Sequence, residues 1–357
     1  QIVNCIAGFV QCRSLDSRNI VPSCRTGTSS EIRNDNLQVT VTSKQKRPKL
    51  TTQMKPDKQL RIKYHTDYSD QSDFSSTARL LQSIWRTEKG FDFENYGNFL
   101  QIDFAKQTGA NYLTKSIFEI VKYEVENAKK NGKVISEPRI WNNLLSSQPL
   151  AFNLFGELKT NRLLATNIFK ELYPNLEIVE ITNIEFEHSP SRKDLKYTGD
   201  SSAFDVFIEY STKYKKLSFL GIEVKYAENL KDKPSSHKDR YEEISEESGF
   251  FDLSQLEKLK EKPIQQIWRD HLLTLSLFIS NKDYLRGDFI YLYPFDNTEC
   301  VNAIEEYKRT FLPNKENYFK PLTIEKIVGI LEEKSTEKWI TEFEDRYLNF
   351  EKINASW

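Results

Sequence analysis

The sequence predicts an α/β protein: a mixed central sheet flanked by helices, with helical extensions before and after it. Three observations carry that prediction. Residues 175–188, 201–210 and 216–227 are consecutive strand-like runs rich in Ile, Val, Phe and Tyr. A long helical pattern at 146–173 precedes them. A second helical pattern at 263–280 and a fourth apolar strand at 287–295 follow. Helix, three strands, helix and strand in that order make an α/β sandwich.

The elements can be justified in chain order. Residues 1–53 hold Cys5, Cys12 and Cys24, many Ser, Thr and Arg, and no periodicity. They read as a disordered extension or a non-native leader, with a disulfide-bearing leader as the alternative. The only methionine, Met54, stands where the composition shifts, so the functional chain is expected to begin near it. The cysteine spacings match no zinc pattern. With only Cys300 beyond residue 53, the body reads as a reduced, cytoplasmic protein.

A mainly helical region at 54–145 comes next, with helices expected over 76–86 and 115–130. The helix at 146–173 has Ser146 as cap, Pro149 in its first turn and a stop before Pro174. The core predicted for 146–295 is interrupted at 228–262 by a charged insertion too long for a simple connection. Short helical pieces are expected near its end. It reads equally as a DNA-facing lid and as a solvated excursion. The tail at 296–357 is expected to be helical, around 301–311, 323–333 and 336–349.

Charge and motif content exclude several classes of function. A formal net charge of -1 supplies no global basic field, so any nucleic-acid surface must be a local patch. No apolar run approaches the roughly 18 residues that suggest a membrane span. The four histidines are scattered, and there is no phosphate-binding glycine loop, HExxH or GxSxG pattern.

Two strands carry the chemistry. Ile222, Val224 and Tyr226 alternate with Glu223 and Lys225, so the two charged side chains point to one face. Asp205 interrupts a run in which Phe204, Val206, Ile208 and Tyr210 are expected on the opposite face. Hairpin pairing of these strands would set Asp205 beside Glu223, with Lys225 next along. Adjacent carboxylates repel unless a cation neutralises them. Two carboxylates and a backbone carbonyl suit Mg²⁺, which keeps waters and accepts phosphate oxygens as further ligands. A neighbouring lysine can orient a water or help deprotonate it.

Asp205 followed by Glu223-Val224-Lys225 resembles the signature of the PD-(D/E)XK nuclease superfamily, with Phe204 where the name has proline. The element order resembles that superfamily's restriction-endonuclease-like αβββαβ core over about 146–295. The stretches SSQPLAFNLFGEL, RYEEISEESG and QQIWRDHLL are also similar to a bacterial group of restriction-endonuclease-like proteins within it.

The resemblance implies Asp205, Glu223 and the Val224 carbonyl as ligands of Mg²⁺, with Mn²⁺ as a substitute, and Lys225 as the catalytic lysine. It implies a further acidic ligand from the preceding helix, for which Glu157 is the candidate. It also implies a polar side chain from the following helix, where Gln266 is preferred and Arg269 is a candidate for DNA. Lys231, Lys233, Lys238 and Arg240 of the insertion are the other candidate DNA contacts. The implied activity is metal-dependent DNA endonuclease cleavage of restriction or genome-defence type, leaving 5′-phosphate and 3′-hydroxyl ends. A non-cleaving nucleic-acid-binding or scaffold protein and a hydrolase of small phosphoesters are the rivals. DNA is the expected partner, no membrane is expected, and monomer and homodimer stay open.

Overall fold

The computed structural model describes residues 55–356 apart from 69–71, 229 and 231–235. The expected leader, Met54, Lys231 and Lys233 therefore lie outside the described residues. The described residues open with α1 (Lys58–Lys63) and α2 (Asp73–Glu88), started by the side chains of Asp57 and Ser72, which accept first-turn N–H groups. A small hairpin follows, β1 (Phe93–Glu94) and β2 (Tyr96–Leu100). Then come α3 (Ile102–Thr108), which ends on Gly109 in the left-handed region at φ 69°, α4 (Lys115–Asn127) and α5 (Arg139–Asn142).

The helix expected over 146–173 is two helices, α6 (Ser147–Thr160) and α7 (Arg162–Leu172). Asn161 separates them with φ −108° and ψ 72°, and its side chain accepts from Leu164 N to start α7. Asparagine competes with the helix for backbone groups, which is why it breaks a pattern that is otherwise continuous.

The central strands are β3 (Ile178–His188), β4 (Phe204–Thr212) and β5 (Leu217–Val224). After them come α8 (Asp239–Ser248), α9 (Leu256–Leu259), α10 (Gln265–Ser280) and β6 (Tyr284–Tyr293). The chain closes with α11 (Thr298–Lys308), β7 (Phe319–Thr323), α12 (Ile324–Lys334), α13 (Lys338–Tyr347) and α14 (Glu351–Ala355). The sheet order is β3-β4-β5-β6-β7. The first two pairings are antiparallel and the last two parallel, with α10 in the crossover from β5 to β6. This mixed five-stranded sheet with helices on its faces is a restriction-endonuclease-like α/β fold. The tail read as helical thus also supplies β7, a short strand whose Pro321 is tolerated at a sheet edge.

Each sheet face has its own cover. Ile184, Phe186, Val206, Ile208, Ile222, Val224, Ile290 and Leu292 enter one core that runs from Leu60 to Ile353. Helices from before and after the central strands share that core. On the other face, Phe207 and Phe219 pack on Leu273 and Leu277 of α10. Phe289 and Tyr291 pack there with Trp268 of α10 and with Tyr241 and Ile244 of α8.

Two expectations are corrected here. Phe204 belongs with Phe207 and α10 rather than with Val206, because Gly221 leaves room for its ring: a Cβ at Gly221 would lie 2.4 Å from it. The insertion is more than a charged excursion, because α8 buries an apolar side and Trp268 Nε1 donates to Ser245 Oγ at 3.0 Å. Trp85, Trp141, Trp268 and Trp339 are all buried. Among the described residues no helix is long and apolar enough to cross a membrane.

Candidate active site

Register builds the site. Phe186 pairs with Val206 and Val206 with Ile222. One residue further toward the same end, Glu187, Asp205 and Glu223 occupy neighbouring positions across the three strands. Asp205 accepts the Val224 N–H at 2.7 Å through Oδ2. Lys225 Nζ donates to Glu223 Oε1 at 2.6 Å, and Gln266 Nε2 of α10 donates to the same oxygen at 3.4 Å. Lys225 lies just past the end of β5, and its N–H donates to Leu292 O at 2.8 Å, fixing it against β6. From the other side Gln148 of α6 donates to the Glu187 carboxylate. Glu228 accepts from Ser147 N at 2.8 Å and from Tyr226 N at 2.7 Å, tying the start of α6 to the segment after Lys225.

The electrostatics are those of a crowded acidic site. Burial, then Glu223 and Glu187, hold the Asp205 carboxyl well above the usual carboxylate range. Burial, opposed by the Gln148 hydrogen bond and reinforced by Glu223, pushes Glu187 up to about 7. Burial and Glu223 push Asp270 of α10 up to about 7 as well. Burial alone would lower the Lys225 ammonium, but Glu223, Asp270 and Glu228 outweigh it and the net shift is upward. Lys225 is therefore a fixed positive charge among carboxylates.

The structure brings Asp205, Glu223, Lys225 and Gln266 together. A strand residue's N–H and C=O point to the same side, so the Val224 carbonyl faces Asp205, which takes its N–H.

Glu157 is not part of this cluster. It is nine residues, about 13 Å along the axis, beyond Gln148, and Thr114 and Thr160 donate to its carboxylate. Its polar neighbour Asn153 is buried and engaged with Leu113, Asn111 and Tyr347. Arg240 is held by Glu243, Glu247 and the Tyr197 carbonyl, and Arg269 lies within ion-pair range of Asp200 and Asp270. Arg240 thereby ties α8 to the loop before β4, and Arg269 lies between that loop and its own helix neighbour Asp270. Lys238 occupies the cap position of α8.

Sequence reasoning missed Glu187, Asp270 and Gln148. For Glu187 a signal existed: Glu185 and Glu187 alternate with Ile184 and Phe186, as Glu223 alternates with Ile222 and Val224. A polar cleft of about 420 Å³ opens beside Glu187, its lining including Lys133, Lys159 and His188.

Residues 68–349 match the PD-(D/E)XK nuclease superfamily. The chain belongs to that superfamily. No curated protein and no solved structure matches it. Membership in the PD-(D/E)XK nucleases brings with it hydrolysis of nucleic acid, commonly with a divalent metal. Among the described residues no three His, Cys, Asp or Glu side chains converge as a metal cage. The residues fit a hard divalent cation all the same: two repelling carboxylates and a carbonyl leave the remaining positions to water and phosphate oxygen, the coordination Mg²⁺ prefers.

Proposed function

We propose that this nuclease is a metal-dependent DNA endonuclease of restriction or genome-defence type, acting in the cytoplasm. The observation that carries the reading is the pairing of Asp205 and Glu223 on adjacent strands, with Lys225 bonded to Glu223 on the same face. Asp205, Glu223 and the Val224 carbonyl would hold Mg²⁺, or Mn²⁺ in its place. The bound cation would supply positive charge at the scissile phosphate and acidify a water.

The chain's own groups do the positioning. Lys225, kept protonated by its carboxylate neighbours, serves as a donor to the attacking water or to a phosphate oxygen rather than as a base. Gln266 restrains Glu223. Water attacks phosphorus in line with the departing 3′ oxygen, leaving 5′-phosphate and 3′-hydroxyl ends. Lys231, Lys233 and Lys238 keep their place in this reading as DNA contacts.

One observation favours the non-cleaving rival: Lys225 sits on the Glu223 oxygen that a cation would need. Nicking of supercoiled plasmid with Mg²⁺, and its absence in chelator, tests the reading. Binding of DNA without nicking in either Mg²⁺ or Mn²⁺ would hand the case to the rival.

A further inference from the structure

A cation held by Asp205 and Glu223 creates a problem for Lys225. Its ammonium lies 2.6 Å from Glu223 Oε1, and two positive charges cannot share that oxygen at contact distance without strong repulsion. Asp270 offers a second place for it. Asp270 follows Gln266 by one turn of α10, so both side chains share the helix face that meets Glu223. It is only 5% exposed. Its Oδ1 stands 3.6 Å from the Arg269 guanidinium, beyond a good hydrogen bond, and its Oδ2 has no hydrogen-bond partner. A buried carboxylate oxygen left bare is costly and needs a reason.

The neighbours locate it. The charges acting on Asp270 are Glu223, Arg269, Lys225 and Asp200, whereas those acting on Asp205 are Glu223, Glu187 and Lys225. Glu223 and Lys225 are common to both sets, so the Lys225–Glu223 pair is felt by Asp205 and Asp270 alike.

We propose that Asp270 is a positioning residue that takes the Lys225 ammonium from Glu223 when a divalent cation binds, so that one lysine has two alternative carboxylate docks. The metal-free protein keeps Glu223 neutralised by Lys225. With the cation present, Lys225 pivots onto Asp270 Oδ2 and stays beside the scissile phosphate instead of being expelled. This inference rests on the nuclease reading above.

A double-mutant cycle in the full chain tests it, with Mg²⁺ and Ca²⁺ affinity measured by calorimetry and kcat and KM measured on duplex DNA. Asp270→Asn should leave the metal-free melting temperature unchanged or raised, since it removes a repelled charge. It should weaken Mg²⁺ binding about tenfold and lower kcat about tenfold with KM little changed, the coupling expected between contacting residues. Asp270→Glu should recover most of both losses. With Lys225 already replaced by Gln, Asp270→Asn should no longer weaken metal binding; an equal loss in both backgrounds would make Asp270 a structural residue and overturn the proposal. Asp270→Ser carries the same cycle should the amide fail to fold. A wild-type protein that neither binds metal nor cleaves takes the nuclease reading down together with this inference. A wild-type enzyme that cleaves, with Asp270→Asn matching it in affinity and kcat, removes the inference alone.

Discussion

The sheet carries two buried acidic sites, and they are built on opposite terms. Asp288 on β6 is fully buried, yet it is answered twice over. Arg286 donates to it through Nε at 2.6 Å and through a terminal nitrogen at 2.7 Å, and Lys320 of β7 stands 3.4 Å away. Around the end of β5, six carboxylates (Glu187, Asp205, Glu223, Glu228, Asp270 and Asp200) act on one another among four cations, Lys225, Arg269, Arg192 and Arg139. The first site has more positive charge than it needs, and the second has less. A buried charge that is fully paired reads as architecture. A buried cluster left in deficit stores repulsion, and the natural relief is a cation that arrives with the substrate.

The largest expected effect separates the two sites by what they do. Asp205→Asn or Glu223→Gln should reduce plasmid cleavage by about a thousandfold or more, the scale of losing an electrostatic stabiliser of the reaction. For Asp205→Asn the metal-free stability should hold or rise, because repulsion is relieved, whereas Glu223→Gln should lower it by leaving the buried Lys225 ammonium without its ion pair. Lys225→Ala should keep metal and DNA binding and cut the rate by roughly a hundredfold or more. Wild-type cleavage by Lys225→Ala would leave Lys225 as a buried counter-charge with no part in the reaction.

Asp288→Asn should do the reverse. Leaving Arg286 and Lys320 without their carboxylate costs about 3 kcal/mol, seen as a lower urea midpoint, while cleavage per folded molecule stays the same. If Asp288→Asn silenced cleavage without loss of stability, the division between the two sites would collapse.

The sequence showed the deficit site better than it showed the balanced one. Glu223 and Lys225 stand out because a strand's period of two makes charged residues between Ile222, Val224 and Tyr226 visible without any structure. Asp205 is visible for the same reason. Glu187 is harder to see, because it lies at the frayed end of β3 with φ 50°, where alternation no longer says where a side chain points. Asp270 cannot be seen at all: within α10 it is one polar residue in a helix, and only the packing of that helix on β5 puts it near Lys225. The same limit explains the split at Asn161 and the unforeseen β7. One polar residue looks like part of an amphipathic helix, and FKPLT is too short and too broken by Pro321 to announce a strand.

A smaller effect tests how the deficit site is held in place. Gly221 sits in mid-β5, and a methyl group there would lie 2.4 Å from the Phe204 ring and 2.9 Å from Thr274 Oγ1. Gly221→Ala should cost about 2 kcal/mol, as overpacking of a close-packed core does. Because Phe204 precedes Asp205, the variant should also weaken Mg²⁺ binding by calorimetry. Loss of stability with unchanged metal affinity would mean that Asp205 is placed by its Val224 hydrogen bond alone.

His271 sharpens the comparison with a third kind of buried polar group, one kept neutral rather than paired or crowded. It follows Asp270 in the chain but turns into a nest of rings formed by Phe250, Phe289, Phe311 and Phe319. Its Nδ1 shares a 2.9 Å hydrogen bond with the Tyr307 hydroxyl. Burial alone pushes its pKa down to about 3 from an ordinary value of 6.5. The folded pKa is depressed, so the stability it confers is fully present above pH 6.5 and is lost as pH falls toward 3. Between pH 6.5 and 5.5 the loss should be about 1 kcal/mol from this group, since the unfolded chain binds a proton that the folded one refuses. His271→Phe, a ring among rings, should flatten that part of the pH–stability curve while lowering its plateau by leaving Tyr307 without a partner. A variant curve parallel to the wild type between those pH values would show that His271 is charged in its nest, and that this region too holds a counter-charge.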